Sequence, residues 1–180
     1  MPALRLLTTD ELRPEGLARL RELLDLAWSD EPEGFTEEDW GHAVGGLHVV
    51  VEEDGAFVSH ASIVERELHT GGHRVRTGYV EAVATRPDRR RRGHGAAVMR
   101  AAGDHIDRAY RLGAFATGIP AFYERLGWIV WEGPTFVRTD AGLLRTPEED
   151  GSVLVRLTTT SPDLDRSAPI SCEWRPGDVW

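Results

Sequence analysis

Apolar and polar positions along the chain fall into stretches of period two and of helical period. Ala3–Thr8 predicts a short strand. Leu17, Leu20, Leu24 and Trp28 then recur at helical spacing and predict an amphipathic helix over Glu15–Trp28. Ser29–Gly34 is an acidic loop with a proline. Thr36 is placed to cap a second helix, with Asp39 reaching back from the third position and Trp40 and Val44 facing inward. Gly45-Gly46 stops that helix. Leu47–Glu53 and Ala56–Leu68 flank Asp54-Gly55, a hairpin pattern, and Thr70-Gly71-Gly72 turns into a third strand, Arg74–Thr85.

The second half predicts a helix from His94 to Arg111, with Ala97, Val98, Ala101, Ile106 and Tyr110 on or near its core side. Leu112–Thr117 reads as a buried strand parallel to the third, with the helix as crossover. A short helix over Ile119–Leu126 ends at Gly127, and Trp128–Glu132 and Ser152–Thr158 read as strands. Thr139–Gly151 reads as an acidic loop and Ser161–Trp180 as an aromatic-rich tail. No repeat or linker divides residues 1–180, so one α/β (α+β) domain is expected, with a mixed, mostly antiparallel sheet flanked by helices.

Composition narrows the class. At 180 residues, 41% hydrophobic and 28% charged, the chain can bury a sizeable core. It has no run of about 18 apolar residues, so no membrane span is expected. Its N-terminus lacks the apolar stretch of a signal peptide, and the single Cys172 excludes an internal disulfide and suits a reducing cytoplasm. Seven scattered histidines predict no metal site. A formal net charge of −9 argues against nucleic acid and permits a cationic substrate.

Candidate chemistry centres on Arg89-Arg90-Arg91-Arg92-Gly93-His94-Gly95, which lies between the third strand and a helix. Helix N-terminal N–H groups, the helix dipole and arginines together form an anion site. Glycines let a phosphate approach the backbone closely. By itself the arginine run is equally well read as a solvated or RNA-facing basic surface. A Walker A loop needs lysine, and the chain contains none. A dinucleotide fingerprint wants a small third residue where Val98 stands. Glu81, in the apolar run Tyr79–Val83, is a candidate base, either pointing to solvent by alternation or facing a polar pocket. Backbone N–H groups around Val83 are candidate oxyanion donors. Tyr123, taken by itself, reads as a partly buried packing residue.

Arg90-x-x-Gly93-x-Gly95 resembles the acetyl-CoA pyrophosphate loop of the GNAT acetyltransferases, and Phe122-Tyr123 followed by Gly127-Trp128 resembles their tyrosine helix. Further stretches resemble the aminoglycoside 2′-N-acetyltransferases within that superfamily. They include Gly34–Trp40, Gly45–His48, Gly78–Ala84, Trp131–Thr135, Arg145–Gly151 and Cys172–Trp180, and the match covers nearly the whole chain after the first helix.

The resemblance implies a GNAT fold splayed at the acetyl-CoA site, a homodimer, and acetyl transfer to the 2′-amine of an aminoglycoside. It implies that Glu81 deprotonates the amine through water and that Tyr123 acts as the acid. Val83, Ala84, Thr85, Arg90, Arg91, Arg92, Gly93, His94 and Gly95 would hold acetyl-CoA. Asp39, Glu81, Ala82, Glu148, Glu149, Asp178 and the Trp180 carboxylate would meet the drug. Another small amine or polyamine is the alternative acceptor. Gly34 stands where the family has an acid, Ala116 where it has a serine, and the segment between Thr117 and Tyr123 is shorter. These departures touch the substrate side.

Overall fold

The computed structural model describes all 180 residues, Met1–Trp180. They group into two units, Met1–Val64 with Val80–Ala102, and Glu65–Tyr79 with Gly103–Trp180.

The first unit begins with β1 (Ala3–Thr8), α1 (Thr9–Ala27), α2 (Glu37–Ala43) and β2 (Leu47–Glu53). It continues with part of β3 (Ala56–Thr70), part of β4 (His73–Thr85) and the start of α3 (His94–Ala109). β1 pairs antiparallel with β2, and β2 with β3. Asp54 and Gly55 take φ of 52° and 80°, the left-handed pair that a tight two-residue hairpin demands.

Thr8 caps α1 in a capping box with Glu11, so the helix begins at Thr9 and not at the expected Glu15. Pro14 cannot donate to the preceding turn and disfavours helix at the residue before it; Arg13 leaves helical geometry, at φ 55° and ψ 172°, and the long segment starts after this kink. Leu12, Leu20, Leu23 and Leu24 of α1 bury against Phe35, Ala43, Val50, Phe57 and Ala84. Each such leucine contributes about 1.5–3 kcal/mol of burial. Trp40 and Ala82 pack on the same cluster.

The second unit adds β5 (Leu112–Ala116), α4 (Pro120–Glu124), β6 (Ile129–Val130), β7 (Thr135–Thr139), β8 (Gly142–Arg145), β9 (Val153–Leu157) and β10 (Ile170–Glu173). Its strand order is β6-β9-β5-β4-β3-β10-β7-β8. β5 runs parallel to β4 over Thr77–Tyr79, as the crossover pattern predicts. Gly78 allows this layer to close: a Cβ there would lie 2.8 Å from Tyr110 and 2.9 Å from Ile106.

Three strands were not expected from sequence. β7, in a segment given no element, forms a hairpin with β8, which lies where the chain reads as loop, and β10 inserts between β3 and β7, parallel to β7. The tail is therefore part of the sheet. Arg66 fixes it there, donating to the Glu173 carboxylate at 2.8 Å and to its carbonyl at 3.1 Å. The α3 core stripe is Val98, Met99, Ala102 and Ile106; Val98 and Ile106 are as expected, while Ala97 and Ala101 are half-buried beside Met99 and Ala102. The helix ends before Tyr110, and α4 is two residues shorter at its C-terminus than expected.

Candidate active site

The end of β4 departs from strand geometry. Ala82 takes φ 49°, left-handed for a residue with a Cβ. Side chains of β3 hold its carbonyls: Ser62 donates to Glu81 O at 3.2 Å, His60 lies 2.8 Å from Ala82 O, and Ser59 donates to Ala84 O at 2.8 Å. A regular strand alternates its carbonyls from side to side. Here Glu81 and Ala82 both turn theirs toward the His60–Ser62 side chains. All peptide bonds are trans, so the N–H groups of Ala82 and Val83 point away from those side chains. Two successive N–H groups on one side make an anion-receiving concavity. Glu81, Ala82 and Val83 are all half-buried here.

The arginine run divides. Arg86 pairs with Asp88 at 3.2 Å, and Arg89 pairs with Asp88 at 2.7 Å and Glu53 at 3.1 Å. Arg90, Arg91 and Arg92 are exposed and form no ion pair; Arg90 makes only a long 3.4 Å bond to the Ala27 carbonyl. Arg91 and Gly93 take φ of 63° and 84°, curling the loop into the N-terminus of α3. The first intrahelical bond runs from Ala97 N to Gly93 O, which leaves the preceding N–H groups without helical partners. His94 Nε2 is buried with no partner in the protein. An unpartnered imidazole nitrogen, three arginines without ion pairs and a helix N-terminus fit a pyrophosphate.

Tyr123 is buried beside Phe115, with ring centroids 4.7 Å apart, and beside Phe122 at 4.8 Å. Burial pushes its phenol pKa above the ordinary value, against a weaker pull from a hydrogen bond with Thr117. The group therefore keeps its proton at neutral pH, the form that a general acid needs.

The acidic loop also divides. Asp150 forms an ion pair with Arg145 and accepts from Thr135 N at 3.0 Å and Thr135 Oγ1 at 3.1 Å. These contacts hold its carboxyl well below the usual range and make it the pin of the loop. Glu149 behaves oppositely: burial, then the negative charges of Asp178 and Glu148, raise its pKa. Trp180 closes the loop, buried and donating from Nε1 to Thr146 Oγ1 at 3.1 Å. Cys172 donates to Val179 O at 3.2 Å and Arg175 to Asp178 O at 2.7 Å, so the last residues are docked. Asp39 accepts from Thr36 N and Oγ1, both at 2.9 Å and both through Oδ2.

Among the residues singled out from sequence, Asp39, Glu81–Thr85 and Arg90–Gly95 belong to the first unit. Tyr123, Glu148, Glu149, Asp178 and Trp180 belong to the second. Within each unit the structure brings together the β4 segment held by β3, and the Glu148–Glu149–Asp178 group. Ser59, His60 and Ser62 were missed. A hydroxyl–imidazole–hydroxyl run inside an apolar strand was the available signal.

Residues 8–131 match the acetyltransferase (GNAT) domain family, and the chain belongs to the GNAT acetyltransferases. Over 98% of its length it is 40% identical to an aminoglycoside 2′-N-acetyltransferase of Mycolicibacterium fortuitum, covering 91% of that protein. An Escherichia coli GNAT family N-acetyltransferase solved with CoA superposes with a TM-score of 0.68 at 14% identity, over 95% of this chain and 89% of that one. A longer GCN5-related N-acetyltransferase of Kribbella flavida matches 74% of the chain with a TM-score of 0.56 at 23% identity, and the chain spans 34% of its length.

Proposed function

We propose that this enzyme transfers the acetyl group of acetyl-CoA to the 2′-amine of aminoglycosides and so confers resistance. The observation that carries the acceptor is the Glu148–Glu149–Asp178 group, in which burial first, and then the negative charges of Asp178 and Glu148, raise the Glu149 pKa. A polycation relieves the repulsion between those charges and is concentrated by them. Asp39 contributes Oδ1, since its capping bonds use only Oδ2.

Arg90, Arg91, Arg92 and the α3 N-terminus, with Gly93, His94 and Gly95, hold the pyrophosphate of acetyl-CoA. Val83, Ala84 and Thr85 align its thioester arm along β4. Glu81 takes a proton from the substrate ammonium through a water. The freed amine attacks the thioester carbonyl carbon, forming the C–N bond, and the carbonyl oxygen becomes an oxyanion bound by the Val83 N–H. Collapse breaks the C–S bond and the CoA thiolate takes the Tyr123 proton, while the nitrogen, cationic since the attack, gives up its second proton through water to the tyrosinate, which leaves a neutral amide and a reprotonated Tyr123. Cys172, the only cysteine, is buried with its thiol pKa pushed up to about 11, so a cysteine-borne acetyl intermediate is disfavoured.

No helix is long and apolar enough to cross a membrane. We place the reaction in the cytoplasm, where acetyl-CoA is supplied and Cys172 stays reduced. A homodimer is part of the proposal; Leu143 and Leu144, 60% and 54% exposed on edge strand β8, offer a second copy an apolar edge.

Thiol release from acetyl-CoA is to be followed with gentamicin, spermidine and no acceptor. Turnover with gentamicin alone is expected; turnover restricted to spermidine would replace the acceptor. Tyr123→Phe should lower kcat about 10-fold or more without weakening CoA binding, and an unchanged kcat removes the acid role.

A further inference from the structure

β2 and β3 carry two histidines, His48 and His60, that are fully buried and have no part in the reaction described above. They form one line of hydrogen bonds. Gly45 N donates to Thr9 Oγ1 at 2.8 Å, and Thr9 Oγ1 lies 2.8 Å from His48 Nε2. His48 Nδ1 lies 2.9 Å from His60 Nε2, and His60 Nδ1 lies 2.8 Å from Ala82 O.

The far end fixes the direction of every proton. A carbonyl oxygen only accepts, so His60 Nδ1 carries the hydrogen. Burial pushes the pKa of His60 down to about 3 and of His48 to about 4, so both rings are neutral at pH 7. His60 Nε2 is then bare and accepts from His48 Nδ1–H. That leaves His48 Nε2 bare to accept the single Thr9 hydroxyl proton, in preference to the 3.3 Å contact between Thr9 Oγ1 and Gly46 O. Donors therefore run one way, from Gly45 to Ala82.

The carbonyl where the line ends shares a rigid trans peptide plane with the Val83 N–H. Anchoring one atom of that plane aims the other. Donation to the carbonyl also polarises the amide and strengthens its N–H as a donor. Ala82 at φ 49° is strained, and such a residue keeps its geometry only where neighbours over-determine it.

We propose that Thr9, His48 and His60 form a one-way hydrogen-bonded chain that positions the Val83 N–H as the oxyanion donor. This rests on the acetyl-transfer reading but not on the identity of the amine, because the thioester is common to every acceptor.

The test compares His60→Asn, whose amide keeps a donor in place of Nδ1, with His60→Leu, which has none. His60→Leu should lower kcat about 100-fold, the scale of one lost oxyanion donor, with KM for acetyl-CoA within about twofold. His60→Asn should recover kcat to within a few-fold of wild type. The same ratios are expected with any amine that the wild type accepts, so an incorrect acceptor shows in the wild-type panel and leaves the ratios intact. Equal losses in both variants, or none in either, would overturn the proposal. Imidazole ¹⁵N NMR of the unmodified protein at pH 7 gives a second readout, independent of folding in the variants and of turnover. Both rings should be neutral with the proton on Nδ1. A proton on His60 Nε2 contradicts the chain.

Discussion

The basic loop at Arg86–Gly95 and the acidic loop at Arg145–Gly151 look alike in sequence, each a run of like charges beside glycine. Both divide into scaffold and working residues. In the basic loop Arg86 and Arg89 are neutralised by Asp88 and Glu53, while Arg90, Arg91 and Arg92 form no ion pair. In the acidic loop Asp150 is held by Arg145 and Thr135, while Glu148 and Glu149 form no ion pair and Glu149 feels the charge of Asp178. The difference lies in crowding. The free arginines are exposed, whereas Glu149 is half-buried, with its pKa raised by that burial and then by its neighbours' charges. The first arrangement suits a compact anion that several donors surround. The second suits a polycation whose ammonium groups interleave with separate carboxylates.

The division can be broken by exchanging which loop is damaged. Replacing Arg90, Arg91 and Arg92 with alanine should raise KM for acetyl-CoA about 100-fold, the loss of about two charge-assisted bonds. KM for the aminoglycoside should hold, and isothermal titration with CoA alone reports the same loss. Glu148→Gln with Glu149→Gln should do the converse, raising KM for the aminoglycoside about 20-fold through weaker field and lost charge-assisted bonds. If each substitution set shifted both constants equally, the loops would not be separate sites.

pH sharpens the comparison further. Because the Glu149 pKa is raised above the ordinary carboxylate value, Glu149 takes up a proton earlier than an ordinary glutamate as pH falls. KM for the aminoglycoside should therefore climb about threefold between pH 7.5 and 5.5. KM for acetyl-CoA, to which Glu149 does not contribute, should change less. The smallest effect belongs to the scaffold: Arg89→Ala should leave both constants within about twofold, since its partners are exposed or half-buried carboxylates.

Much of this was legible in the chain. The Thr36–Asp39 capping box, the Asp54-Gly55 hairpin and the strand–loop–helix around Gly93 follow from local residue chemistry, and the structure has them. β8 and β10 were hidden because four residues carry too little alternation, and only pairing with β7 and β3 makes them strands. The left-handed turn at Ala82 was hidden too, since no glycine marks it and side chains of β3 impose it. His48 and His60 meet only in the paired register, and a slip between Val51 and Glu52 shifts that register away from what counting out from the turn would give.

The central claim is that the acidic residues present the 2′-amine to the thioester. NMR of the product formed from acetyl-CoA and gentamicin tests it most directly. A single acetyl group on the 2′ nitrogen is the predicted result. Acetylation at another amine, or no acetylated product, would contradict it.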